Sequence, residues 1–190
     1  MIISLVSVGA SYNEKLNFAL DFFKSHDVCL LSDTERDNVF YFEKYDGGKF
    51  SYFDKLYFSL ELVNKFKTDV FYVDVTKVSE VDLTFSRDCL FYYKSHWPFG
   101  NLFSDYLKYD FFDPLVEKWD NPDIDYRNLP AIRETELFFS KDLDVNLISK
   151  RLKSIQPLFR EMSIRKPTYP GYDNAEGIAL AYALRSMKII

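Results

Sequence analysis

Residues 68–76, Thr-Asp-Val-Phe-Tyr-Val-Asp-Val-Thr, constrain this chain more than any other stretch. The run is short, apolar, rich in β-branched and aromatic residues and bounded by polar ones, the pattern of a strand buried on both faces. A helical pattern precedes it from about Phe50 to Lys67, with Phe50, Phe53, Leu56, Tyr57, Leu60, Val63 and Phe66 on one face. A helix feeding a doubly covered strand belongs to an α/β sheet, where ligands sit outside the carboxyl ends of the strands. Asp74 therefore stands where a ligand or a metal could reach it. An aspartate that merely caps the turn after a core strand is the plain alternative.

The rest of the chain repeats this alternation. Ile2 to Val8 reads as a first, buried strand, ended by Gly9-Ala10-Ser11-Tyr12-Asn13. Glycine just past a strand lets backbone N–H groups approach a ligand, although neither GxGxxG nor a P-loop is present. Asn13 is expected to cap a helix whose Leu16, Ala19, Leu20 and Phe23 share one face. Val28 to Leu31 reads as a second strand followed by Ser32-Asp33-Thr34, Val39 to Tyr45 as a third, and Asp46-Gly47-Gly48-Lys49 as a turn. Lys55 lies near the start of the next helix, where the ordinary reading is a solvated lysine. The order β-α-β-β-α-β predicts an α/β chain with a largely parallel sheet.

Past Thr76 the pattern loosens. Cys89 to Tyr93 reads as a strand. Residues 96–119 are aromatic with little periodicity and suit a pocket, an interface or a self-packed loop; a short helix is expected over Asp113 to Trp119, with Pro114 at its first position. Ala131 to Ser140 reads as a strand with Ile132, Glu134, Glu136 and Phe138 on one face, its two carboxylates either solvated or part of a site. A helix is expected from Val145 to Phe159 with Asp144 as its cap, then a rigid loop over 166–172. A last helix follows from about Asn174 to Met187, opened by Asp173 and Glu176 at capping-box spacing.

With 190 residues, 47% of them hydrophobic and 28% charged, the chain is expected to fold as a single domain over 1–190. A net charge of −5 argues against a protein that neutralises a nucleic-acid backbone. The two cysteines, Cys29 and Cys89, show no zinc spacing. They fit a reducing compartment. No signal peptide or membrane-length run is evident, so the expected location is cytoplasmic, with no integral membrane segment.

The segment Phe50-Ser-Tyr-Phe-Asp-Lys55, the helix it opens and the strand Thr68 to Thr76 resemble the middle of GT-A glycosyltransferases. There a lysine-bearing helix leads into a strand ending in a DxD-type motif. Asp74 matches the first aspartate, and Thr76 stands where the second would be. The Glu- and Phe-rich run Arg133 to Phe139 and the acidic head of the last helix, Asp173 to Glu176, fit the same order. The resemblance implies a three-layer α/β/α sandwich with a mostly parallel central sheet, GT-A/Rossmann-like, moving a sugar from a nucleotide-sugar donor to an acceptor. It implies nucleotide contacts from Gly9, Tyr12, Asp33, Lys55 and Asp74, with Tyr12 stacking on the base. Asp74 would ligate Mn²⁺ or Mg²⁺, a role that Thr76 supports less well than a second aspartate would. The general base of an inverting reaction would come from Asp173, Glu176 or Glu134, with Glu136 also available. The rival expectation, motivated by Thr76, is a non-catalytic binding or structural module on a degenerate version of the fold. A Rossmann-like nucleotide hydrolase or transferase of another kind comes third.

Overall fold

The computed structural model describes residues 1–46, 48, 50–84, 89–93, 132, 135–165 and 175–184. Two compact units divide the chain. One comprises Met1–Tyr93, Glu134–Val145 and Ile189–Ile190, the other Lys94–Arg133 and Asn146–Lys188.

The first unit is built on a six-stranded sheet. Its strands are β1 (Ile2–Ser7), β2 (Asp27–Ser32), β3 (Tyr41–Lys44), β4 (Val70–Asp74), β5 (Phe91–Tyr93) and β6 (Glu136–Phe139), in the spatial order β3-β2-β1-β4-β6-β5. The β1–β2, β1–β4 and β2–β3 pairs are parallel, and β6 runs antiparallel to both its neighbours. The chain is thus mixed α/β with a mostly parallel sheet, as the alternation of elements predicts. Every residue of β1 is buried, as is the run Val70–Val73 of β4, which is what a strand covered on both faces requires.

Register explains the covering. Ile3 and Leu5 of β1, Val28 and Leu30 of β2, Phe71 and Val73 of β4 and Phe138 of β6 form one core with Leu16, Ala19, Leu20 and Phe23. The first three of these helical residues lie on α1 (Asn13–Phe22), and Phe23 directly follows it. The intervening residues face α2 (Tyr52–Phe66): Ser4 of β1 hydrogen-bonds Ser59 at 3.0 Å, and the Lys55 ammonium lies over the Tyr72 ring. Side chains alternate across a strand, so α1 and α2 cover opposite faces of the sheet.

The start of α1 differs from expectation. Asn13 is the first residue of α1 rather than its cap. Tyr12 occupies the cap position, with no side-chain hydrogen bond, because a 3₁₀ turn over Ala10–Tyr12 runs directly into the helix. A capping box opens α2. The Ser51 hydroxyl accepts from the Phe53 N–H at 3.3 Å, and the Asp54 carboxylate accepts from the Ser51 N–H at 2.8 Å. This satisfies donors that a helix start otherwise leaves open. Lys67 closes α2 in the left-handed conformation, at φ 50°.

The described part of the second unit holds most of α3 (Val145–Arg165) and all of α4 (Ala175–Leu184). α3 continues to Arg165 although Pro157, lacking an N–H, removes one of its internal bonds. Ile148, Leu152 and Ile155 form its buried stripe at spacings of four and three. The six residues Ala179 to Leu184 are all buried. The Arg151 guanidinium donates to the Ala183 carbonyl at 2.8 Å, a cation meeting a carbonyl that the helix end cannot pair. No helix among the described residues is long and apolar enough to cross a membrane. The aromatic stretch 96–119, with its expected helix at 113–119, and the loop 166–172 lie outside the described residues.

Candidate functional site

Four adjacent strands, β3-β2-β1-β4, run parallel and end on the same edge of the sheet. α1 returns to one side of β1, while α2 crosses to β4 on its other side. The carboxyl ends of β1 and β4 therefore flank the point where the direction of winding reverses, the usual ligand crevice of an open α/β sheet. The register places Val6 beside Asp74, and Ser7 beside Ser32. The turns carrying Gly9, Asp33 and Asp74 thus leave the sheet side by side.

Gly9 has φ 103°, a backbone state that side-chain-bearing residues rarely adopt. Its N–H, the donor that a strand-end glycine offers to a ligand, points instead at Asp33, whose Oδ2 accepts it at 2.8 Å. The other Asp33 oxygen accepts from the Thr34 hydroxyl at 3.3 Å. Asp33 therefore braces the β1 and β2 turns against each other. Tyr12 is 37% exposed, and the Lys15 ammonium sits 5.7 Å from the centre of its ring. A partly exposed aromatic ring with a cation over it suits a flat partner that carries negative charge.

Asp74 is half-buried, and its Oδ1 accepts from the Thr76 N–H at 2.8 Å. This is an Asx turn, the local bond a strand-end aspartate commonly makes. The other carboxylate oxygen makes no hydrogen bond among the described residues. The Asp74 N–H donates to the Thr135 carbonyl, and its own carbonyl accepts from the Lys77 N–H, both at 2.8 Å. Both turn and carboxylate are therefore held in place.

Lys55 departs from the solvated lysine of the ordinary reading. It is 5% exposed, with its ammonium 5.2 Å from the Tyr52 ring centre and 5.7 Å from that of Tyr72. Tyr72 precedes Asp74 by two residues on the same face of β4, so Lys55 lies beneath the carboxyl edge rather than on its rim. The same side of the edge carries a cavity of about 220 Å³ whose lining includes Tyr45, Tyr57, Asp54 and Glu61. The Tyr45 hydroxyl donates to Asp54 at 3.1 Å. Burial, and secondarily the Asp54 charge, push the Tyr57 hydroxyl up to about 12.

Of the residues singled out from sequence, the structure brings Gly9, Tyr12, Asp33 and Asp74 to one edge, with Lys55 below it. Asp173 and Glu134 lie outside the described residues. Glu176 is on the first turn of α4, with its side chain outside the description. Glu136 is buried in register with Val73. Among the described residues no group of three or more His, Cys, Asp or Glu side chains could hold a metal ion; Asp74 contributes a single carboxylate. Sequence reasoning passed over Ser51, although Ser51-x-x-Asp54 has the spacing of a capping box. It also passed over Glu14, Lys15 and Ser79, which carry no motif and matter only through what the fold sets opposite them. The chain matches no protein-family model and no curated protein sequence.

Proposed function

We propose that the chain is a small nucleotide-sugar-dependent glycosyltransferase on a three-layer α/β/α sandwich of the GT-A/Rossmann kind. The observation that carries this reading is the side-by-side exit of the Gly9, Asp33 and Asp74 turns at the β1/β4 reversal. In this reading the open Tyr12 ring stacks on the base. Asp33 holds the Gly9 turn in the shape that admits the nucleotide. The second Asp74 oxygen faces the diphosphate side. Departure of a nucleoside diphosphate requires compensation of the charge developing on its phosphates. A Mn²⁺ or Mg²⁺ ion on the hard Asp74 oxygen would supply it, its remaining ligands being phosphate, water or residues outside the described set. Lys55 adds a positive charge beneath the edge. Glu176, Asp173 and Glu134 are the candidates for the base that takes the acceptor proton.

The test is titration calorimetry with UDP-, GDP- and CMP-sugars, with and without Mn²⁺. Heat with one donor class, abolished in Asp74→Ala, is the expected result. Silence with every donor, from chain shown to be folded, overturns the reading. The Asx turn at Asp74 favours the second reading, a non-catalytic module on the same fold, because it accounts for that residue without any ligand. That reading expects no donor heat, together with a stable assembly in light scattering.

A further inference from the structure

Beyond the Asp74 turn the chain crosses to the α1 side of the sheet, where Val75 and Val78 join the core formed by α1. Above them the first turns of α1 and the segment after β4 enclose an open cavity of about 250 Å³. Its floor is apolar, made by Val75 and Val78. One wall is the ring of Phe18, which is 54% exposed. Its rim carries Glu14, Lys15, Thr76 and Ser79. Among the described residues neither the Glu14 carboxylate nor the hydroxyls of Thr76 and Ser79 make a hydrogen bond.

This combination selects a ligand class. The lining carries one acidic and one basic residue, the Lys15 ammonium lying 5.7 Å from the Tyr12 ring centre, so no cluster of like charge singles out an anion such as phosphate or an organic cation. Donors and acceptors spread around an aromatic wall and an apolar floor fit a neutral ring with hydroxyls on its edge and C–H groups on its face. The volume falls below the roughly 300–1,000 Å³ of pockets that take drug-sized ligands. It suits one sugar ring, not a nucleotide.

We propose that this cavity is a pyranose-binding pocket, the subsite of a neutral sugar acceptor on the α1 side of the Asp74 turn. Naming the ring as the acceptor's rests on the transferase reading; binding of the ring does not. Phe18 stacks on the ring face, and Glu14, Thr76 and Ser79 bind its edge.

The experiment is saturation-transfer NMR on the whole chain with the methyl glycosides of glucose, galactose and mannose, without nucleotide or metal. Transfer to the ring C–H protons of at least one glycoside is expected, with affinity falling roughly tenfold in Phe18→Ala, the worth of one good aromatic contact. Phe40→Ala is the control: Phe40 is 54% exposed, packs on Phe66 and does not line the cavity, so the variant should bind as the parent does. Absence of transfer from all three glycosides, or transfer undiminished in Phe18→Ala, overturns the pocket. Glycoside binding with no nucleotide-sugar heat removes the transferase reading and leaves the pocket. Donor heat without glycoside binding does the reverse.

Discussion

The buried serine pair that joins β1 to α2 makes an asymmetric prediction. Ser4 and Ser59 are both fully enclosed, with their hydroxyl oxygens 3.0 Å apart. Ser59 has a single hydroxyl proton, and it goes to the Lys55 carbonyl at 2.8 Å. The bond between the serines must then be donated by Ser4. Ser4→Ala removes that donor and leaves Ser59 satisfied, costing about the net worth of one hydrogen bond, ~0.5–1.5 kcal/mol. Ser59→Ala instead strands the Ser4 O–H in the core, a penalty of ~1–3 kcal/mol, offset by ~0.5 kcal/mol from the better helix propensity of alanine. The double variant removes the stranded group, so it should be no less stable than Ser59→Ala alone. Its cost falls short of the sum of the single changes by ~1 kcal/mol. Native-state hydrogen exchange on the amides of β1 and α2 reads this directly, because both serines lie in the first unit. Ser59→Ala, at a net ~0.5–2.5 kcal/mol, should speed exchange there by roughly 2- to 70-fold. A larger effect from Ser4→Ala, or strictly additive single changes, would refute the proton assignment.

Three further outcomes are expected. Gly9→Ala should cost ~1–3 kcal/mol through backbone strain alone, since an added Cβ would meet nothing closer than the Tyr12 ring at 4.0 Å; a melting temperature equal to the parent's contradicts this. Ser51→Ala should cost ~1 kcal/mol, and Asp54→Ala more, because Asp54 serves both the Ser51 N–H and the Tyr45 hydroxyl; exchange of the first-turn amides of α2 ranks the two variants. Burial, and secondarily the Asp27 charge, push the Cys29 thiol from 9.0 to about 12, while Tyr57 rises from 10.0 to about 12. Both groups keep their protons in the folded state at pH values where the unfolded chain has released them. Their contribution is thus complete below pH 9 and is lost as pH climbs from about 9 to 12. The urea midpoint should fall across that window, less steeply in Cys29→Ala at its lower end, and a pH-independent midpoint would count against both assignments.

Much of the first unit was legible in the sequence. Leu16, Ala19, Leu20 and Phe23 were expected on one helical face and all enter one core, because helical spacing forces that face on any sheet that covers it. The doubly buried strand at Val70 to Val73 was legible for the same reason, as was the pairing of Glu136 with Phe138 on one face of β6. Less legible was Lys55. The seven apolar positions marked out for this helix left Lys55 on the wet side, whereas the buried surface of α2 takes in Lys55, Phe58, Ser59 and Leu62 beside Phe53, Leu56, Leu60 and Val63, and leaves Tyr57 and Phe66 half-buried. Periodicity locates the centre of a buried stripe; its width depends on how far the neighbouring elements wrap around the helix.

The candidate site divides in the same way. That Gly9, Asp33 and Asp74 each follow a strand is written in the local pattern of apolar runs and polar ends, and so is the α/β class, since strand burial and helix spacing are properties of a few consecutive residues. The strand order is not local: which ends meet at the reversal depends on pairings between distant strands, such as Val6 of β1 with Asp74 of β4. Only the tertiary structure decided that the Gly9 N–H is taken by Asp33, that one Asp74 oxygen is held by Thr76, and that Glu14, Lys15 and Phe18 face Thr76 and Ser79 across a cavity. Each of these depends on what the sheet sets opposite a residue, and hydrogen bonds and burial are fixed by that opposite group.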